Sequence, residues 1–155
     1  MRRVLFTTLL TALAACTHAA PTTAPRMLLL GEVHDSAAGH AARAALLRRE
    51  LEAGWRPAIA MEQFDTAQQA ALDAAMQDCG DAACVVARVV AGKSGWNWDF
   101  YQPVIALALE YKLPLLAANL SRGDASRVVK DGFAAALPAA LIARYRLDAL
   151  PADVL

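Results

Sequence analysis

Met27-Leu28-Leu29-Leu30-Gly31-Glu32-Val33-His34-Asp35 is a short apolar run that stops at a glycine and then presents a carboxylate and an imidazole. An apolar run bounded this way reads as a buried parallel strand. Ligands bind open α/β sheets outside the carboxyl ends of the strands, where the residues after Gly31 would lie. Glu32 and His34 are two apart, so on extended backbone their side chains project from the same side. The run therefore predicts a parallel sheet and the acid–imidazole corner of a site.

Two further runs repeat the pattern. Pro57-Ala58-Ile59-Ala60-Met61 predicts a second strand ending at Glu62. Leu113 to Ala118 predicts a third, ending at Asn119, with its proline near the strand start. The intervening stretches have helical spacing. Asp35 or Ser36 can cap a helix to about Ala53, with Ala44, Leu47 and Leu51 on one face and Gly54 as its stop. Thr66-Ala67-Gln68-Gln69 reads as a capping box before Leu72, Ala75 and Met76, and Cys84 to Ala91 as another short helix. A loop over Gly92 to Gln102 carries Trp96, Trp98, Phe100 and Tyr101. Pro103 then opens a helix with Val104, Leu107, Ala108 and Tyr111 on one face. From Ser121 the pattern is helical to about Tyr145, broken near Gly132 and Pro138. Strand alternating with helix predicts an α/β fold, a parallel sheet of about three strands with helices on its faces.

The N-terminus reads as a targeting segment. Arg2 and Arg3 precede an apolar stretch, Val4 to Ala15, too short to span a bilayer comfortably. Leu13-Ala14-Ala15-Cys16 resembles a bacterial lipobox, which implies cleavage before Cys16 and lipidation of its thiol; ordinary signal cleavage is the alternative. Thr17 after the cysteine, rather than Asp, fits an outer-membrane lipoprotein. Thr17 to Pro25 is polar and rich in Ala, Thr and Pro, as a tether would be. The expected organisation is a signal peptide over 1–15, a lipidated cysteine and tether over 16–25, and one domain over 26–155.

The 155 residues balance 15 Lys+Arg against 15 Asp+Glu, and loss of Arg2 and Arg3 leaves 13 against 15, a net charge of −2. A nucleic-acid partner would leave a basic footprint, and none is present. Cys79 and Cys84 flank a turn between helical patterns, so in an oxidising compartment they are expected to form a local disulfide. A zinc site there would need more ligands nearby.

Three strand ends carrying Glu32 and His34, Glu62, and Asn119 would share one sheet edge and face a common cleft, with Asp35, His40, Gln63 and Arg122 close in sequence. His34 suits an iron or metal ligand or a general base, and equally a structural hydrogen bond. His40 falls in a helix first turn, as a polar contact or a surface residue. Glu32 and Glu62 can pair as carboxylates or orient His34. The Trp96 to Tyr101 cluster is either core lining or a shelf for a flat ligand.

The motifs Leu-Leu-Leu-Gly-Glu-Val-His-Asp with His40, Ala-Met-Glu-Gln-Phe-Asp, Trp96-x-Trp98-x-x-Tyr101-x-Pro103 and Leu-Ala-Ala-Asn-Leu-Ser-Arg, from about Met27 to Arg122, resemble the ChaN family. That family comprises haem-binding bacterial lipoproteins of the wider Tiki/TraB and erythromycin-esterase-like superfamily. Its members look considerably longer, so the resemblance implies a truncated, N-terminal part of the family domain. It further implies a membrane-tethered haem-binding lipoprotein in haem or iron uptake, facing the periplasm or surface. Under it, His34, His40, Glu62, Trp98, Tyr101, Asn119 and Arg122 are the candidate haem contacts. From the residues themselves, His34 is the candidate iron ligand, Tyr101 or Tyr145 an alternative phenolate, and Arg122 a propionate partner; the resemblance assigns none of them. The other reading is a hydrolase like the esterase and Tiki branches, with Glu32, His34 and Glu62 activating water directly or through a divalent metal. No Gly-x-Ser-x-Gly elbow is present, which argues against a serine esterase. A remnant that does neither is a third reading. A sheet this thin leaves an open edge, so pairing with a second copy, with haem enclosed between protomers, is also expected.

Overall fold

The computed structural model describes residues 27–149 apart from 91 and 93; the expected signal peptide, Cys16 and tether lie outside the described residues. The chain divides into Met1–Leu30 and Gly31–Leu155, and every helix and strand described belongs to the second unit. Its order is α1 (Ala37–Glu52), β1 (Ile59–Asp65), α2 (Gln69–Asp78), α3 (Ala82–Val89), α4 (Gln102–Glu110), β2 (Leu115–Asn119), α5 (Arg122–Asp131) and α6 (Ala139–Tyr145). The α/β class and the parallel sheet are as expected. No helix among the described residues is long and apolar enough to cross a membrane.

The sheet has two strands among the described residues, β1 parallel to β2. Met27–Leu30, the expected first strand, has no regular secondary structure, and Met27 and Leu29 are 81% and 82% exposed. The correction has a physical reason. Apolar composition favours burial, but a strand exists only through its ladder, and this run has none. The residues after it turn at once into α1, whose N-cap Ser36 accepts a hydrogen bond from the Gly39 N–H. The helix ends at Glu52, followed by Gly54 at φ 98°, a conformation that favours glycine.

β1 runs further than its apolar stretch. Ile59, Ala60 and Met61 pair with Leu115, Leu116 and Ala117, but the next pair is Asp65 with Asn119. Three residues of β1 therefore stand against Ala118 alone, a bulge that breaks the alternation of side chains. Gln63 and Phe64 are both buried in succession, and Glu62 emerges on the exposed side. Glu62 is thus inside the strand rather than beyond its end. On the edge of β2 away from β1, the Gln69 side chain stands in for a strand. Its Nε2 donates to the Leu115 carbonyl at 3.0 Å and its Oε1 accepts from the Ala117 N–H at 2.7 Å. The capping box before α2 sits one residue earlier than expected, with Gln68 Oε1 accepting from the Asp65 N–H at 2.8 Å.

One core joins these elements. Leu47 and Leu51 of α1, Phe64 of β1, Leu72 of α2, Val85 of α3, Ile105 of α4 and Leu115 of β2 are buried together. Cys79 and Cys84 are joined by a disulfide across the α2–α3 turn. Neither α5 nor α6 has a fully buried residue; α5 packs chiefly on the short turn Phe133–Ala135, and α6 on that turn and on Leu147–Ala149 after it.

Candidate functional site

The segment Gly31–Asp35 crosses the face on which the bulge of β1 presents Glu62 and Gln63, and four elements meet at the Glu32 carboxylate. Its Oε1 accepts from the Tyr101 hydroxyl at 2.8 Å, from His34 Nδ1 at 2.6 Å and, at 3.4 Å, from Gln63 Nε2. Its Oε2 pairs with Arg43 of α1 at 2.6 Å. Both ends of that ion pair are largely withdrawn from solvent, at 16% and 15% exposure, so they interact in a medium less polarisable than water. Burial alone would push the Glu32 carboxyl up. The hydrogen bonds from Tyr101 and His34 and the Arg43 charge outweigh it and hold the group below the ordinary carboxylate range. Tyr101 shows the reverse: burial, then the carboxylate it donates to, pushes its phenol up to about 12.

The partners also fix where the imidazole hydrogens lie. An ionised carboxylate only accepts, so the hydrogen of His34 is on Nδ1, facing Glu32. Nε2 has no partner among the described residues, and the ring is 59% exposed. Glu62 lies 3.9 Å from the same Nδ1. His40 is turned inward, 5% exposed, with Nε2 donating to the His34 carbonyl at 3.1 Å. Its Nδ1 accepts from Arg43 at 2.5 Å, because a guanidinium can only donate. Arg43 also donates to the Gly31 carbonyl at 3.2 Å. One cation therefore holds Gly31 and Glu32 directly and, through His40, braces the His34 carbonyl.

An aromatic wall stands beside His34. Trp96 meets the His34 ring edge-on at 5.0 Å between centroids, and Phe100 stacks on His40 at 4.7 Å. Trp96, Phe100 and Tyr101 join His34, Asp35 and Asn97 around a cleft of about 280 Å³. Trp98 faces the other way, against Phe64 and Tyr101, and is a core residue. Tyr101 lines the cleft while its hydroxyl is committed to Glu32.

Glu32, His34 and Glu62 thus come together, as the sequence led us to expect, with Tyr101 and His40 directly behind them. Asn119 lies opposite Asp65 at the carboxyl end of the sheet, and Arg122 opens α5 as an exposed residue. Neither makes a hydrogen bond or ion pair to the His34 network among the described residues. Tyr145, the other candidate phenolate, is exposed on α6 with Arg144 over its ring. Arg43 is the residue that the sequence reading did not single out. Its signal was its spacing: three residues after His40, it shares that histidine's helix face.

The ligand atoms of Glu32, His34 and Glu62 lie within 4.8 Å of one another, a cluster of hard and borderline donors that can hold a divalent cation. Both Glu32 oxygens are already in use, so a cation drawing on all three residues would compete with Arg43 and Tyr101.

Residues 19–153 match the sequence model of a family described as haem-binding uptake, Tiki superfamily, ChaN. No curated protein and no solved structure matches the chain.

Proposed function

The chain belongs to the ChaN haem-binding uptake family of the Tiki superfamily, and from that premise we propose that it is a membrane-tethered lipoprotein carrying haem as cargo at the His34 cleft. The observation that carries the reading is an exposed imidazole beside an aromatic wall, its Nε2 without a partner among the described residues. An iron-binding nitrogen and flat apolar surfaces are what a metalloporphyrin needs. His34 would hold the iron through a ring nitrogen, and Trp96 and Phe100 would flank the macrocycle. His40 and Tyr101, whose polar atoms are spent on neighbouring groups, brace the site from behind. Arg122 and Asn119, near the carboxyl end of the sheet, are the groups to meet propionates.

At about 280 Å³ the cleft falls below the roughly 300–1,000 Å³ of pockets that enclose drug-sized ligands, so it takes one face of a porphyrin and leaves the other open. A second copy of the chain would cover that open face. The tether reading rests on Leu13 to Cys16 and places the domain at the cell envelope, on the outer membrane.

A second reading is favoured by the Glu32, His34 and Glu62 cluster: a metal-assisted hydrolase in which a held cation activates water. Hemin titrated into the purified chain separates the two. The haem reading expects a Soret shift that saturates at stoichiometric hemin. Absence of any shift, together with hydrolysis that needs an added divalent cation, would replace it with the second.

A further inference from the structure

The arm that follows β2, residues 122–149, is built differently from the rest of the domain. No described residue after Ala117 belongs to the core or packs against it. What the arm exposes is apolar and cationic together. Val129 is 86% and Tyr145 60% exposed, and Leu141 is exposed as well. Leu141 and Tyr145 are four apart and share a face of α6; Arg144, three beyond Leu141, borders that face and lies over the Tyr145 ring at 5.5 Å. Lys130 follows Val129 on α5. Arg127 is paired with Asp124, but the side chains of Arg122, Lys130 and Arg146 have no partner among the described residues. Residues 122–149 carry five cationic side chains against three aspartates, whereas residues 31–121 carry seven against eleven acids. The positive excess of the domain is thus confined to the arm.

We infer that this arm is a membrane contact, with Val129, Leu141 and Tyr145 in the headgroup region of an anionic lipid surface and Lys130, Arg144 and Arg146 at the lipid phosphates. The inference rests on the tethered-lipoprotein reading above and adds a second point of attachment to it. Amphipathic helices of this kind lie in the interface plane, their apolar side chains at the headgroup–acyl boundary and the stems of Lys and Arg alongside. Tyrosine suits that level because its ring is apolar and its hydroxyl stays wet. Thr17 to Pro25, nine residues, spans at most about 30 Å when fully extended, so a chain anchored at Cys16 stays beside lipid. An anionic surface repels the acidic body of the domain and attracts the arm, which is therefore the side that meets it. A second copy of the chain fits less well, because two such arms would bring like charges together.

The test uses the full chain with Cys16→Ser, which carries no lipid, in co-sedimentation with vesicles of phosphatidylcholine alone and of equal parts phosphatidylcholine and phosphatidylglycerol. The expected result is tighter binding to the anionic vesicles, weakening as salt is added. In the Lys130→Gln, Arg144→Gln double variant that affinity should fall about 25-fold, a factor of about five for each cation removed from an anionic surface. Hemin binding should not change, since neither residue lines the cleft. Val129→Ser should weaken binding to both kinds of vesicle. Equal affinity for the two compositions would overturn the inference, and so would a folded double variant that binds the anionic vesicles as its parent does. Should the double variant not fold, Lys130→Gln alone should lose about fivefold, and an unmoved affinity there would overturn it equally. Self-association of the chain without lipid, abolished by Val129→Ser, would assign the face to a second copy and overturn it as well. Mass spectrometry of Cys16 in the wild-type chain tests the tether separately: a cysteine without lipid would remove the tether reading and leave the vesicle result to decide the arm.

Discussion

Two concavities among the described residues differ in kind, and the smaller one gathers a bonded network of ionisable groups. The groove beside the disulfide, lined by Met76, Cys79, Gly80, Ala106, Leu109 and Glu110, measures about 570 Å³. The cleft at His34 is about half that. In the groove, Cys79 is tied up in the bridge and Glu110 is turned to an exposed pair with Arg48. At the cleft, a carboxylate, an imidazole, a guanidinium and a phenol are bonded to one another, and one ring nitrogen has no partner among the described residues. Concave volume comes from helices meeting at their ends. A site needs groups whose protonation and direction are fixed by something else.

The contrast can be broken most directly at Arg43. Replacing it with Ala leaves Glu32 largely buried without its counter-charge, and should cost about 2–4 kcal/mol in urea unfolding while weakening hemin binding. If Arg43→Ala unfolds like wild type, the network is not what orders the segment. On the groove side, the Cys79→Ser, Cys84→Ser double variant opens a short loop and should cost about 2 kcal/mol. Hemin saturation should survive it. Loss of binding at unchanged fold would mean that the groove, not the cleft, holds the ligand.

A subtler separation comes from pH. The folded-state pKa of Tyr101 is raised from 10.0 to about 12, so its contribution is fully present below pH 10 and is lost as pH rises through the folded value. Wild-type melting temperature should therefore fall between pH 10 and 12 more steeply than that of Tyr101→Phe; parallel curves would refute the Tyr101–Glu32 bond. Glu32 has the opposite sign. Its lowered pKa supports the fold above the ordinary carboxylate range and ceases to do so as pH drops through the folded value. The smallest effect is expected at Glu110, where Glu110→Gln removes an exposed ion pair and should leave both the melting temperature and hemin binding unchanged.

Much of this was legible in the residues. Ile59 to Met61 and Leu115 to Ala118 are apolar runs between a proline and a polar residue, and both are strands. Such runs predict burial on both faces, but Ala60, Leu116 and Ala118 are exposed, so each strand buries one face only. Met27 to Leu30 has the same composition and no ladder, since composition cannot name a hydrogen-bond partner. Glu32, His34 and Glu62 were expected together and are together, although Glu62 arrives through the bulge of β1, which has no single-sequence signature. Arg43 was harder to read for a different reason. α1 is so rich in alanine that its apolar stripe is weak, and only the spacing of Arg43, three residues after His40, sets it apart from the outward arginines of that helix.

On the proposed reading His34 holds the haem iron, and His34→Ala tests this without touching the core. Hemin should shift the Soret band of the wild-type chain and saturate. In His34→Ala the shift should be lost or its affinity lowered at least about tenfold, and millimolar imidazole should restore the wild-type band by filling the space the ring left. A folded His34→Ala protein that binds hemin with the wild-type spectrum and affinity would contradict the account.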